Sequence, residues 1–345
     1  MDYRRFQSAS LLEKAEIEKY DTTTPITTNF HGVPNNDIDY FKWAKHQDVI
    51  SYDSYPQYDT PAHVNWQAYS PLKRPGQMFT QSLQAIAHGA DTVQYFQLKQ
   101  SIGAQEKFHG AVIAHSQRTD TRVFKEIQRL GQTLARLGTT FKDSPVQAKV
   151  AILFDWENMW ALQYMAGIRQ DIDYVKIVQT YYRHFYEQNI TVDVIGNTND
   201  FSAYDLVVAP VLYMVSPQLK QKLSDYVAKC GNLVTTYLSG LVDQNDNVYL
   251  GGYPGALREL TGIWVEETDV VVPKQTIWVD YQGQKYPTEL LCDLVHPKET
   301  EVLATYASEF YAGMAATTKN NFGKGKVWYF ASQFADEMLA KLVTS

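Results

Sequence analysis

Apolar positions along this chain fall at helix and strand periods in turn. Over residues 5–20, Phe6, Leu11, Leu12, Ala15 and Ile17 sit among charges at the spacing of an amphipathic helix. After Pro25, Ile26 to Phe30 reads as a short β-branched strand. Asp37 to Lys45 fits a second helix with Asp37 as its N-cap. Asp48 to Asp53 reads as a strand stopped at Pro56, Gln77 to Gly89 as a helix, and Thr92 to Leu98 as a third strand. A strongly periodic helix over Phe124 to Leu137 closes this half. Strands alternating with helices predict βα units on a parallel sheet. Sites in such sheets gather at the C-terminal ends of strands, which here places Asn29, Asp53, Tyr55 and Gln97 together as candidates.

The polar break Lys142-Asp143-Ser144-Pro145 divides the chain into residues 1–143 and 146–345. A second α/β series follows. Val150 to Phe154, Thr191 to Ile195, Leu206 to Pro210 and Asn232 to Tyr237 read as strands, with helices over Ile172 to Gln188 and Gln218 to Lys229. Gly323 to Lys326 is a turn leading into a last strand ending at Phe330. Short parallel strands with crossover helices predict a doubly wound, flavodoxin-like sandwich. It lacks a G-x-G-x-x-G after its first strand, which argues against a dinucleotide.

Composition narrows the partners. The 345 residues carry a formal charge of −7, which disfavours nucleic acid or an anionic membrane as main partner. No apolar run reaches the roughly 18–20 residues of a membrane helix. The N-terminal stretch has no apolar signal-peptide core, and two cysteines, Cys230 and Cys292, make neither a metal-ligand spacing nor a disulfide framework. The expectation is a soluble, cytoplasmic protein. Aromatics reach 13%, with 24 Tyr and 7 Trp, which suits either sugar binding or a tyrosine-rich core.

The richest cluster of polar chemistry is Gly103-Ala104-Gln105-Glu106-Lys107-Phe108-His109-Gly110. Glu106 and His109 could offer an acceptor and a donor to vicinal sugar hydroxyls, or form a loop ion pair with a satisfied histidine. Flanking glycines favour the functional reading. Trp66 reads as a core side chain, with a sugar-stacking platform as the alternative. Asp155-Trp156-Glu157-Asn158 reads as an extended segment that is structural or an interface rather than an acid/base pair. Cys230 precedes a strand rather than standing on a strand-to-helix elbow, which argues against a nucleophile.

The segments PITTNF, DYFKWAK, DVISYDSYP, VNWQAYSPLKRPG, QAIAHGADTVQYFQ, GAQEKFHGAVI, VAILFDWENMWAL, VVAPVLYMV and LVTTYLSGLVDQNDNVYLGGYPG, in this order, resemble the β-galactosidases of glycoside hydrolase family 42. The resemblance implies an incomplete (β/α)8 TIM barrel in residues 1–143. It implies a flavodoxin-like, class I glutaminase-like trimerisation domain in 146–345, and hence a homotrimer. It implies retaining hydrolysis of terminal β-D-galactosides by two glutamates, without metal or cofactor. Carried over, Tyr55, Trp66, Glu106 and His109 are the galactose-binding residues. The acid/base, in an Asn-Glu pair after the fourth barrel strand, is expected to be missing. Counting back from Trp66, the nucleophile position falls on Tyr58 with Asp59 beside it, so neither catalytic glutamate is expected here. That implies a chain inactive alone. The alternatives are a non-catalytic assembly remnant or one half of a split enzyme.

Overall fold

The computed structural model describes residues 3–30, 38–53, 71–141, 144 and 146–344. The chain forms two compact units, Met1–Val146 and Gln147–Ser345.

In the first unit, helix α1 (Tyr3–Glu18) leads to strand β1 (Asn29–Phe30). Helix α2 (Tyr40–Ala44) and strand β2 (Ser51–Tyr52) follow, and β2 pairs with β1 in parallel. Lys14 on α1 donates to Asp48 Oδ1 at 2.8 Å, while Asp48 Oδ2 accepts from Ile26 N at 2.8 Å. One carboxylate thus ties the first helix to both strand entrances. The cap of α2 is Asp39 rather than Asp37, which lies outside the described residues. Asp39 is in an extended conformation and accepts from Lys42 N at 3.0 Å, satisfying a first-turn amide. Helices α3 (Gln77–Ala87) and α4 (Arg122–Phe141) pack together, with Arg129 over the Phe79 ring at 4.8 Å.

The strand expected over Thr92 to Leu98 does not form as one. A strand needs a ladder, and among the described residues 92–98 has no neighbouring strand. Instead 97–100 pairs locally with 110–113. Val112 N donates to Gln97 O at 2.9 Å and Ile113 N to Leu98 O at 2.8 Å, and Lys99 bridges Ile113 in parallel.

In the second unit, β3 (Val150–Leu153) is buried along its whole length, as a central parallel strand must be. Helices α5 (Trp156–Tyr164) and α6 (Tyr174–Glu187) lead to β4 (Val192–Ile195). Then come β5 (Leu206–Ala209), α7 (Pro217–Ala228) and β6 (Asn232–Thr236). Ser216 caps α7 with Pro217 in its first turn, a start that needs no amide from the proline. Residues 155–158, expected to be extended, instead begin α5. Asp155 is the N-cap and accepts from Glu157 N at 2.9 Å.

The short helix α8 (Arg258–Thr261) precedes an antiparallel series absent from the sequence-based expectation. It comprises β7 (Ile263–Val270), β8 (Ile277–Tyr281), β9 (Gln284–Pro297), β10 (Glu301–Tyr306) and β11 (Ala315–Phe322). Strands β12 (Gly325–Phe330) and β13 (Ser332–Phe334) and helix α9 (Asp336–Thr344) complete the unit. The order is β13-β9-β8-β10-β11-β12-β6-β5-β3-β4, with β7 on β9. The run β4-β3-β5-β6-β12 is parallel and has the flavodoxin-like order. Strand β12 is parallel to β6 on one side and antiparallel to β11 on the other, so it joins the two halves. Its first residue must be glycine. A Cβ on Gly325 would stand 2.1 Å from Gly231 O and 2.4 Å from Val227 O.

The halves are also joined through one buried carboxylate. Asp293 on β9 accepts from Tyr253 Oη (2.9 Å), Tyr329 Oη on β12 (2.6 Å) and Thr268 Oγ1 on β7 (2.7 Å). Burial raises its pKa to about 6, outweighing the donors that favour the charged form. An unfolded aspartate titrates near 3.8. The protonated side chain is therefore favoured in the fold, and this stabilisation is complete below that value and lost as pH rises through about 6. On lowering pH from 6.5 to 3.5, the wild type should gain about 3 kcal/mol relative to Asp293→Asn, read from urea unfolding at each pH.

Candidate functional site

The polar cluster around Glu106 is a loop held by glutamine. The backbone pairing of 97–100 with 110–113 brings two strand-like segments side by side, and the intervening residues arch over them. Gln100 secures the arch with both ends of its amide. Its Nε2 donates to His109 O at 2.9 Å, and its Oε1 accepts from His115 N at 2.9 Å. His115 Nε2 lies 2.8 Å from Ser101 O, closing the base.

Within the arch, Gln105–Phe108 forms a single 3-10 turn entered through Ala104 at φ 60°. His109 N donates to Glu106 O at 2.9 Å. The turn brings the backbone of His109 back to Glu106, so the two residues stand three apart across a single 3-10 turn. Glu106 is half-buried and His109 is buried. The Phe96 ring meets the His109 imidazole edge-on, 6.1 Å between centroids. The turn can present a carboxylate and an imidazole to one small polar ligand.

Two further expected residues meet at the strand ends. Asn29 Nδ2 donates to Asp53 Oδ2 at 2.7 Å, and Asp53 N donates to Phe30 O at 2.6 Å. Gln97 begins the pairing that supports the arch. Tyr55, Tyr58, Asp59 and Trp66 lie outside the described residues. Sequence reasoning missed Gln100 and His115. Their fifteen-residue separation gives no periodic signal, and they become neighbours only through the backbone pairing between them. Among the described residues no group of three or more His, Cys, Asp or Glu could hold a metal, and no helix is long and apolar enough to cross a membrane.

The second unit fills its own ligand crevice. In a flavodoxin-like sheet that crevice lies beyond the C-terminal ends of β3 and β5. Here Asn158 is fully buried in it, donating to Val211 O at 2.9 Å and accepting from Met214 N at 2.9 Å. Val211, at φ 43°, also donates to Thr236 Oγ1 at 2.8 Å. Asp155 accepts from Asn197 Nδ2, and burial pushes its carboxyl up to about 6. A separate cavity of about 810 Å³ beside α7 is lined by Phe201, Tyr204, Lys222 and Tyr226. The Lys222 ammonium is already engaged there, 4.1 Å over the Phe201 ring and 2.9 Å from Asn197 O, with Asn199 O as a further acceptor.

Residues 148–345 match the family model of the β-galactosidase trimerisation domain. Residues 1–62 and 58–137 match the β-galactosidase model, in two pieces that meet at 58–62. The β-galactosidase LacZ of Lactobacillus acidophilus is 56% identical over 373 aligned residues, taking in 99% of this chain and 56% of that protein. BgaA of a Planococcus species is 45% identical, over 98% of this chain and 56% of its own length. The crystal structure of the β-galactosidase from Bacillus circulans sp. alkalophilus superposes with a TM-score of 0.92 at 42% identity, covering 99% of this chain and 56% of that one. A β-galactosidase from a Rahnella species gives 0.91 at 38%, covering 99% of this chain and 57% of its own. The chain thus spans a little over half the length of these relatives.

Gln100→Leu, which removes both anchors of the arch, should speed amide hydrogen exchange at His115 by about tenfold. Protection of β3 and β5 should be unchanged in the same mass-spectrometric experiment.

Proposed function

The chain belongs to glycoside hydrolase family 42, the β-galactosidases, and from that premise we propose that its first unit binds the galactosyl group of a β-galactoside while its second holds copies together as a homotrimer. The observation that supports the first part is the 3-10 turn that joins half-buried Glu106 to buried His109 through the bond from His109 N to Glu106 O. A carboxylate accepts from two adjacent hydroxyls and an imidazole donates to or accepts from a third, a pattern that suits galactose. Tyr55 and Trp66 complete this reading as a further hydroxyl contact and a stacking face. The reaction of the family is retaining hydrolysis through two carboxylates.

In this chain the nucleophile position falls on Tyr58 and Asp59, close to where the family match breaks into two pieces. The 373 aligned residues against a chain of 345 also support a chain shortened relative to that protein over the aligned region. The proposed role is therefore recognition of the sugar rather than cleavage by this chain alone. For the second unit, a crevice closed by Asn158 and strained Val211 supports assembly over small-molecule chemistry.

Galactose titrated into the chain by isothermal calorimetry should bind. Glu106→Gln and His109→Ala should each weaken it roughly tenfold, as expected for loss of a charge-assisted contact; unchanged binding in both variants would remove the reading. Analytical ultracentrifugation should show a species of three times the chain mass, whereas a monomer at every concentration would exclude the assembly role.

A further inference from the structure

Two glutamines stand three residues apart at the base of the arch, and they are used differently. Gln100 spends both amide ends on backbone groups. Gln97 Oε1 accepts from Ser101 Oγ at 3.0 Å, while its Nε2 is buried with no hydrogen-bond partner among the described residues. Exchanging the amide oxygen and nitrogen would only move the unserved atom to Oε1, since Ser101 offers a single hydroxyl. Either way one end of a desolvated amide is left over, at a cost of about 1–3 kcal/mol that a hydrogen-bonding ligand would relieve.

The position of Gln97 gives that atom a use. Its backbone N donates to Gly110 O at 3.2 Å and its carbonyl accepts from Val112 N, so it lies opposite Ala111, just beyond His109. Phe96, immediately before it, packs edge-on against the His109 ring. We infer that Gln97 is a sugar-binding residue, its spare amide end pairing with one hydroxyl of the galactosyl group held by Glu106 and His109. A hydroxyl donates and accepts, so it serves either amide orientation, which a carboxylate or an ammonium would not. This inference rests on the galactose reading of the arch.

The test is calorimetric titration of the full chain and of Gln97→Met, which keeps length and loses hydrogen bonding, with galactose and each monodeoxygalactose. The wild type should bind galactose and bind one monodeoxy sugar about five- to tenfold more weakly. Gln97→Met should bind galactose as weakly as that, and should no longer distinguish galactose from that one derivative. Equal galactose affinity in wild type and variant overturns the role of Gln97 and leaves the galactose reading intact. A uniform weakening toward every sugar, with the discrimination preserved, also overturns it, because loop distortion alone would do that. Failure of the wild type to bind any of these sugars overturns the galactose reading and this inference with it.

Discussion

A single carboxylate with no access to water organises the second unit. Asp293 draws donors from β7, from β12 and from the loop at Tyr253, and Leu238 N, just past β6, approaches it at 3.4 Å. Its own carbonyl accepts from Tyr306 Oη on β10. Each of those hydroxyls would be an expensive orphan if the acid were removed, so the antiparallel series cannot shift against the parallel one without breaking several bonds together. The strained turns at Val211 and Leu238 persist inside this frame, because the bonds from Asn158, Thr236 and Ser239 over-determine them. The crevice that a flavodoxin-like sheet usually offers to a ligand is thereby occupied by the protein itself.

Much of the parallel half was legible because its strands are short apolar runs bounded by turn residues and separated by capped helices. Val150–Leu153 and Leu206–Ala209 are read at once, since both faces are covered. The antiparallel series escaped the same reading for a physical reason. Strand β9 bends as it passes from β8 to β13, β7 and β11, and its second half is buried on both faces, so the period-two alternation disappears. Leu290 at φ 66° marks one point of irregularity. The Asp293 network was invisible because its members are separated by dozens of residues and share no motif.

In the first unit the candidate site was legible as composition and not as mechanism. Glu106 and His109 stood out as a glycine-flanked polar cluster, and the family resemblance gave them a ligand. The turn that links them is a 3-10 turn, which no periodic pattern announces. The arch that carries them depends on Gln100, whose partners are unremarkable backbone atoms in the sequence. The expected cap at Asp37 failed by two positions, because the residue that wins is the one whose backbone is extended and whose side chain reaches the third amide beyond it, and Asp39 meets both conditions.

The mixed pairing of β12 also sets an order of events during synthesis. Its partners are β6, far upstream, and β11, immediately before it, so the parallel half lacks its fifth strand until the whole antiparallel series before β12 has been made. Until then the far edge of β6 is open and Asp293 lacks the phenol of Tyr329. Long-range pairing of this kind is slow and leaves an unpaired strand edge exposed while it waits. A nascent chain stalled before Gly325 would therefore present β6 as a template for another strand, and helper proteins that shield strand edges would matter most until β12 has been made.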